Sequence, residues 1–327
     1  MNRRTLLKTI GIAGITGTVP TGGAFSNTFN LKTAPGYFEF LLGNLSLIVV
    51  TDGHAIFKPV QPTFAPGAPA DEVRKVLSES FLQTDAVDVA FNILVLKKDN
   101  RRILFDTGCG LNFGANSGRL PANLTNSGIS NELVTDIILT HGHPDHLGGI
   151  LHKDGGLVFP NATVHIARAE YEFWTAAKPD FSKSRNPDLA QFESMVQLAR
   201  KTFAALKGRL MFYSDQQDLF GCIKTRIVAG HTPGHTLFTI YSGNEQLLHT
   251  ADLAHNHAIL LSHPEWGVSF DTDFSQAAAA RRQILTEIEN KRTRIFSYHL
   301  PWPGLGFVER KAEGFRWVPE SFSSPQG

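Results

Sequence analysis

Cysteine is scarce: two occur in 327 residues, Cys109 and Cys222. That excludes a disulfide framework and a cysteine-rich zinc site. Charge of one sign is also lacking. Thirty-one Lys and Arg stand against 30 Asp and Glu, a formal net charge of +1, so there is no basic footprint for nucleic acid. Ile10 to Val19 is mildly apolar but too short to span a bilayer, and no membrane insertion of the mature chain is expected. No repeat of fixed period, low-complexity block or Gly/Ser/Pro-rich linker divides the chain after its first residues. With 42% hydrophobic and 19% charged residues, one large buried core is expected.

Histidine and aspartate are what the sequence concentrates. Thr140-His141-Gly142-His143-Pro144-Asp145-His146-Leu147-Gly148-Gly149 puts four potential metal ligands within six residues. The run Asp136-Ile137-Ile138-Leu139-Thr140 before it is apolar and β-branched and reads as a buried strand. His141 and His143 are two apart, so extended backbone turns both imidazoles to one side. Pro144 ends regular pairing, Asp145 and His146 project from the turn, and Gly148-Gly149 permits a close chain reversal. Neutral imidazoles and a carboxylate suit zinc and similar divalent ions.

The opening residues read as a leader. Arg3-Arg4 in a short basic segment, the apolar run after it and Gly22-Gly23-Ala24 resemble a twin-arginine export signal over residues 1–24. Residues 25–327 then form a single catalytic domain, and an exported or periplasmic location is expected.

Along that domain, Tyr37 to Leu42 and Leu45 to Thr51 form a hairpin at Gly43-Asn44, and Pro59 to Pro69 is an irregular loop. A helix capped by Asp71 runs to Ser80. Strands Val89 to Leu96 and Arg102 to Phe105 lead to Asp106, and a helix is expected around Ile129 to Thr135. Strand Thr163 to Ala167, helices Arg168 to Ala176 and Leu189 to Leu206, and four further strands follow. Helix Phe274 to Glu289, strand Arg294 to Ser297 and a hairpin over Phe307 to Val318 close the chain. The order suggests an α/β protein of layered αββα architecture.

Three later segments place ligand-type residues just past expected strands: Gly230-His231-Thr232-Pro233-Gly234-His235, Leu248-His249-Thr250-Ala251-Asp252 and Phe296-Ser297-Tyr298-His299. Strand ends of one sheet, meeting at one edge, would bring them together. With this combination the chain resembles the metallo-β-lactamase superfamily over nearly all of its length after the leader. The resemblance implies two divalent metal ions, zinc first among the candidates. His141, His143 and His235 would hold one. Asp145, His146 and His299 would hold the other. Asp252 and a hydroxide would bridge them. His231 competes with His235, and the family pattern is read in favour of His235. Asp106 would support the ligand loop from beneath. Asp252, Asp145 and His255 would stand nearest the chemistry.

Asp252 argues against β-lactamases of this fold, which generally lack the bridging carboxylate. The segments Ala34-Pro35-Gly36-Tyr37, Gly118-Arg119-Leu120 and His299-Leu300-Pro301-Trp302-Pro303-Gly304 resemble the methyl parathion hydrolase branch, which holds phosphotriester hydrolases and N-acyl homoserine lactonases. The implied substrate is a small lactone or ester with an apolar chain, with a possible homodimer as the assembly. Phe113, Trp174 and Phe192 are the expected pocket aromatics. In related lactonases a tyrosine three residues after the bridging Asp contacts the lactone carbonyl. Here that position is His255, which could donate a similar hydrogen bond or line the entrance. The reading favours lactone opening, with phosphotriester hydrolysis as the alternative and a non-catalytic metal-binding protein below both.

Overall fold

The computed structural model describes residues 35–322; the expected leader lies outside the described residues. Fourteen strands run in chain order as β1 Tyr37–Leu42, β2 Leu45–Phe57, β3 Val87–Lys98, β4 Arg101–Phe105, β5 Asp136–Ile138, β6 Thr163–Ala167, β7 Leu210–Tyr213, β8 Asp218–Leu219, β9 Ile223–Ile227, β10 Thr236–Ser242, β11 Glu245–His249, β12 Ile295–Phe296, β13 Leu305–Lys311 and β14 Gly314–Pro319. The helices are α1 Ala70–Glu79, α2 Leu120–Asn126, α3 Pro144–Leu147, α4 Arg168–Thr175, α5 Leu189–Ala205, α6 Ile259–Ser262 and α7 Phe274–Asn290. None of them is long and apolar enough to cross a membrane.

The strands form two seven-stranded sheets, ordered β1 to β7 and β14 to β8. In the first sheet β1–β4 are antiparallel, and β4–β7 run parallel. In the second, β11 and β12 are the parallel pair, and the remaining pairings are antiparallel. Strand periodicity explains the layering. Leu47, Val49, Leu94 and Leu96 pack with Phe238, Ile240, Leu247 and Phe296 between the sheets. Their neighbours Ile48, Val50, Ile93 and Val95 face the opposite way, into a cluster that includes Val196, Ala199 and Phe203 of α5. Both faces of each central strand are therefore buried, which requires helices outside both sheets. Each such side chain contributes about 1.5–3 kcal/mol. The expected αββα sandwich is what forms.

Several local expectations change. The helix expected around Ile129 to Thr135 is only a 3₁₀ turn at Asn131–Leu133. The helix of this region is α2, which starts with proline in its first turn and buries Leu120 and Leu124, one turn apart. Asp71 does not cap α1: Pro69 occupies that position without a side-chain bond, and Asp71 pairs with Arg74 instead. β2 continues to Phe57 through a bulge between Thr51 and Gly53, where φ is +118° at Gly53 and a side chain would strike the Asn116 carbonyl.

Candidate metal centre

The ligand-bearing loops come from both sheets, not from one edge of a single sheet as expected. β5 of the first sheet leads into His141 to His146, while β9, β11 and β12 of the second lead into His231, Asp252 and His299. Asp145 and His146 sit in the first turn of α3, with His143 at its N-cap position, rather than in an open turn.

Four of the five ligand imidazoles, all but His143, have one nitrogen committed away from the centre, which fixes where the other points; the outer Nε2 of His143 is buried without a partner. His146 Nδ1 donates to Asp106 Oδ2 at 2.8 Å. Asp106, at φ +65° directly after β4, also accepts the Thr140 amide at 2.8 Å and the Thr140 hydroxyl at 2.9 Å. That hydroxyl in turn accepts from His141 Nδ1 at 2.9 Å. His231 Nδ1 donates to Asp271 Oδ1 at 2.7 Å. His299 Nδ1 donates to the Ala90 carbonyl at 2.9 Å. In each of these four rings, when neutral, the remaining Nε2 is a lone pair facing inward.

Those lone pairs converge on two points. His141 Nε2, His143 Nδ1 and His231 Nε2 form a triangle with edges of 3.0, 2.9 and 3.2 Å. His141 Nε2 carries no hydrogen, and even with one on His143 Nδ1 or on His231, whose ring burial pushes down but Asp252 and Asp271 raise to about 9, one edge still pairs like nitrogens, so the triangle cannot be satisfied by hydrogen bonds alone. A tetrahedral zinc site with Zn–N of 2.0–2.1 Å implies N···N edges of about 3.3 Å. Beside it, His146 Nε2 lies 3.1 Å from Asp252 Oδ1, and His299 Nε2 lies 3.1 Å from Asp252 Oδ2 and 3.4 Å from Asp145 Oδ2. Acceptors face acceptors there. The buried His146 Nε2 and Asp252 Oδ1 have no hydrogen-bond partner. The donor set fits two cations, in the groups His141, His143, His231, Asp252 and Asp145, His146, Asp252, His299, each with ligand atoms within 4.8 Å of one another. Asp252 belongs to both groups.

Protonation tells the same story. Burial pushes His141 and His143 well below the ordinary imidazole range, and the neighbouring His146 and His231 rings add to this, which keeps both rings neutral. Burial also opposes charge on His146, yet Asp252, Asp145 and Asp106 outweigh it and hold that imidazole well above its usual value. Without metal, a proton takes the place of a cation among the carboxylates.

His235, expected as a ligand, is corrected to His231. Its Nδ1 donates to the Val228 carbonyl at 3.1 Å and its Nε2 accepts the Asp252 amide at 3.1 Å. Both nitrogens are spent on backbone, and burial pushes the ring down to about 3. His235 props the Asp252 loop instead of pointing into the centre.

A buried carboxylate that sequence reasoning missed ties the two ligand loops together. Glu170 of α4 accepts the Gly142 amide at 2.8 Å and the Trp174 indole N–H at 2.6 Å on one oxygen, and the Gly234 amide at 2.7 Å on the other. A side chain at Gly142 would strike Trp174, and a Cβ at Gly234 would lie 2.6 Å from that of Glu170. The available signal was an acid one turn before a tryptophan on the buried face of an amphipathic helix. Asp271, also missed, carries no local signal. Tyr298 donates its hydroxyl to the Asp145 carbonyl at 2.6 Å and lays its ring against His146.

A small apolar cavity of about 120 Å³ opens directly on His143, Asp145, His255 and His299, with Phe64, Phe91, Phe113, Met195 and Phe270 among its walls. Phe113 is where the sequence reading expected it. Trp174 and Phe192 are not. Trp174 is fully buried beneath His143, with its ring edge-on at 5.6 Å, and Phe192 stacks on Phe181 at 4.0 Å in the α5 core. Phe91 and Phe270 supply the aromatic wall instead. A larger cleft of about 460 Å³, lined by His54, Asp88 and His257 among others, also reaches His255 and His299.

His255 lines both cavities, but not as a donor. Its Nε2 lies 3.0 Å from Asp252 Oδ2, so its N–H is directed at the carboxylate. Burial pushes the ring down to about 3 against the pull of Asp252.

The sequence profile of the metallo-beta-lactamase superfamily matches residues 89–299. Among solved structures, AidC, a dizinc quorum-quenching lactonase in complex with a product N-hexanoyl-L-homoserine, is 39% identical, with a TM-score of 0.84 over 88% of this chain and 99% of that one. The hydrolase AbOPH of the beta lactamase superfamily is 29% identical, with a TM-score of 0.82 over 90% of this chain and 100% of that one. A probable metal-dependent hydrolase from Staphylococcus aureus, 17% identical with a TM-score of 0.66 over 87% of this chain and 100% of that one, shares the fold. No curated protein sequence matches the chain.

Proposed function

Because the chain belongs to the metallo-beta-lactamase superfamily, in the branch of lactonases and related hydrolases, we propose that it is a two-zinc lactonase that opens N-acyl homoserine lactones. The observation that carries this reading is the small apolar cavity opening directly on the paired ligand groups. It offers room for an acyl chain beside the reacting carbonyl.

In this reading His141, His143 and His231 hold one ion, Asp145, His146 and His299 hold the other, and Asp252 spans both. Two bound divalent ions supply Lewis-acid polarisation of a carbonyl and lower the pKa of water towards neutrality. The protein's share is orientation. Asp106, Asp271, Thr140 and the Ala90 carbonyl each fix the tautomer of one ligand ring, so the inward Nε2 of His146, His231, His141 and His299 would be the one free to bind an ion. Glu170 holds the His141–His143 loop and the His231 loop at one separation. Phe91, Phe113 and Phe270 shape the wall against which an acyl chain would lie. Zinc is favoured because imidazoles dominate the donor set and the 39%-identical neighbour is a dizinc enzyme.

Metal analysis combined with an assay of acid released on ring opening tests the reading. Two ions per chain are expected, with N-hexanoyl homoserine lactone opened, activity lost on chelation and restored by zinc. A protein replete with metal that leaves this lactone closed would overturn it. Export by the twin-arginine route belongs to the same proposal, resting on Arg3-Arg4 and the apolar run that follows. Cell fractionation tests it.

A further inference from the structure

We propose that Asp52 is a positioning residue for the substrate: its carboxylate clamps both ends of the loop 109–118, holds Phe113 in the cavity wall, and thereby sets KM for acyl lactones without ligating either ion. This rests on the lactonase reading above.

Asp52 sits at the bulge of β2, with its side chain buried. Its Oδ2 accepts the Cys109 amide at 2.9 Å and the Gly118 amide at 3.1 Å, and its Oδ1 accepts the Leu120 amide at 2.8 Å. One carboxylate oxygen thus joins the first residue of the loop to the last. The Asp52 carbonyl accepts the Arg119 amide at 3.0 Å, and the His54 amide donates to the Asn116 carbonyl at 3.1 Å, so β2 also grips the returning limb. Hydrogen bonds from backbone N–H groups to a carboxylate are about twice as strong as neutral ones, which makes the neck a firm tie.

The tie reaches Phe113 through one turn. Cys109, held by Asp52, offers its carbonyl to the Asn112 amide at 3.1 Å and to the Asn112 side-chain amide at 2.7 Å, and Phe113 follows directly. Phe113 meets Phe91 at 5.7 Å and lines the small cavity beside Asp145 and His299. The start of the loop also packs on the turn after α3. The Gly149 amide donates to the Gly108 carbonyl at 3.0 Å, and a Cβ at Gly110 would lie 2.2 Å from the Gly148 carbonyl oxygen. Asp52 itself belongs to neither ligand group. Loosening the neck therefore shifts the wall against which an acyl chain lies before it disturbs the ions.

The test is a double-mutant cycle on the metal-loaded protein with N-hexanoyl homoserine lactone: wild type, Asp52→Asn, Phe113→Ala and the double variant. In Asp52→Asn one carboxylate oxygen becomes an NH2 group that cannot accept, so at least one of the three amides loses its partner while side-chain size is kept. Phe113→Ala is expected to raise KM about 5–10-fold. Asp52→Asn is expected to raise it about threefold or more. Both should keep two ions per chain and change kcat less than KM. In the Phe113→Ala background Asp52→Asn should add little, because the side chain it positions is gone. Calorimetric affinity for the ring-opened product should fall in step with the rise in KM. Fully additive effects on KM would overturn the proposal, as would an Asp52→Asn protein altered in metal content or kcat but not in KM. So would a Phe113→Ala protein with unchanged KM and product affinity, a result that needs no Asp52 variant to fold. Failure of the metal-loaded wild type to open the lactone would instead overturn the lactonase reading and this inference with it.

Discussion

Asp106 accepts the Nδ1 hydrogen of His146 at 2.8 Å, and this contact decides which nitrogen of His146 faces the centre. Asp106→Asn keeps the shape but can present an amide N–H to that ring, favouring the wrong tautomer. Affinity at the Asp145, His146, His299 group should fall about 10–100-fold. Chelator competition on the two-metal protein measures it, and the tighter-held of the two ions should then be the one in the other group.

His231 and His235 separate under mutation. His231→Ala removes a corner of the nitrogen triangle, and the protein should retain one ion per chain in place of two. His235→Ala leaves the Val228 carbonyl and the Asp252 amide without their side-chain partner and opens a cavity. It should cost about 2–4 kcal/mol of stability while both ions still bind. Metal analysis and urea unfolding of the two variants distinguish the roles.

Glu170→Ala leaves three buried N–H groups, those of Gly142, Gly234 and Trp174, without their acceptor. A loss of at least about 3 kcal/mol is expected in urea unfolding. Chelator competition should show weakened binding at His141, His143 and His231. Asp106 also holds the Thr140 hydroxyl that accepts from His141 Nδ1, so a double Glu170/Asp106 variant should weaken binding at His141, His143 and His231 further than Glu170→Ala alone.

Metal removal should destabilise the fold, because the ligand rings and carboxylates then lose the cations that link them and retain only partial compensation from a proton on His146. Bound metal at a thousand times its Kd adds about 4 kcal/mol per site, so chelation should lower Tm by several degrees. Ligand rings bind as neutral imidazoles, and protons compete for them. His141 and His143 stay neutral far into acid, whereas His146 is held well above the ordinary imidazole range, so apparent affinity at its group should begin to fall as pH is lowered from above that range and be highest in alkali. Tm against pH, with and without chelator, checks the sign: the two curves should converge in acid.

Much of the fold and of the metal centre is legible in the sequence. Apolar, β-rich runs bounded by turns located β1, β3, β6, β7 and the final hairpin. The four-ligand stretch was legible for the same local reason: ligands two residues apart beside a strand have one geometric use. The choice between His231 and His235 was not local. It depends on Val228 and Asp252 capturing both nitrogens of His235 across a turn. The pocket aromatics failed similarly. Phe91 lies in a strand that reads as core and Phe270 in a loop, while Trp174 and Phe192 looked like pocket residues and fill the helix layer. Glu170 and Asp271 act on loops far away in sequence, so no spacing announces them.

The most direct measurement is a side-by-side kcat/KM comparison, on one preparation holding two ions per chain, of N-acyl homoserine lactones of increasing chain length and a phosphotriester. The account predicts efficient lactone opening, strongest for short chains that a cavity of about 120 Å³ can hold, and lower efficiency on the phosphotriester. A phosphotriester hydrolysed as fast as the best lactone, or faster, would contradict it.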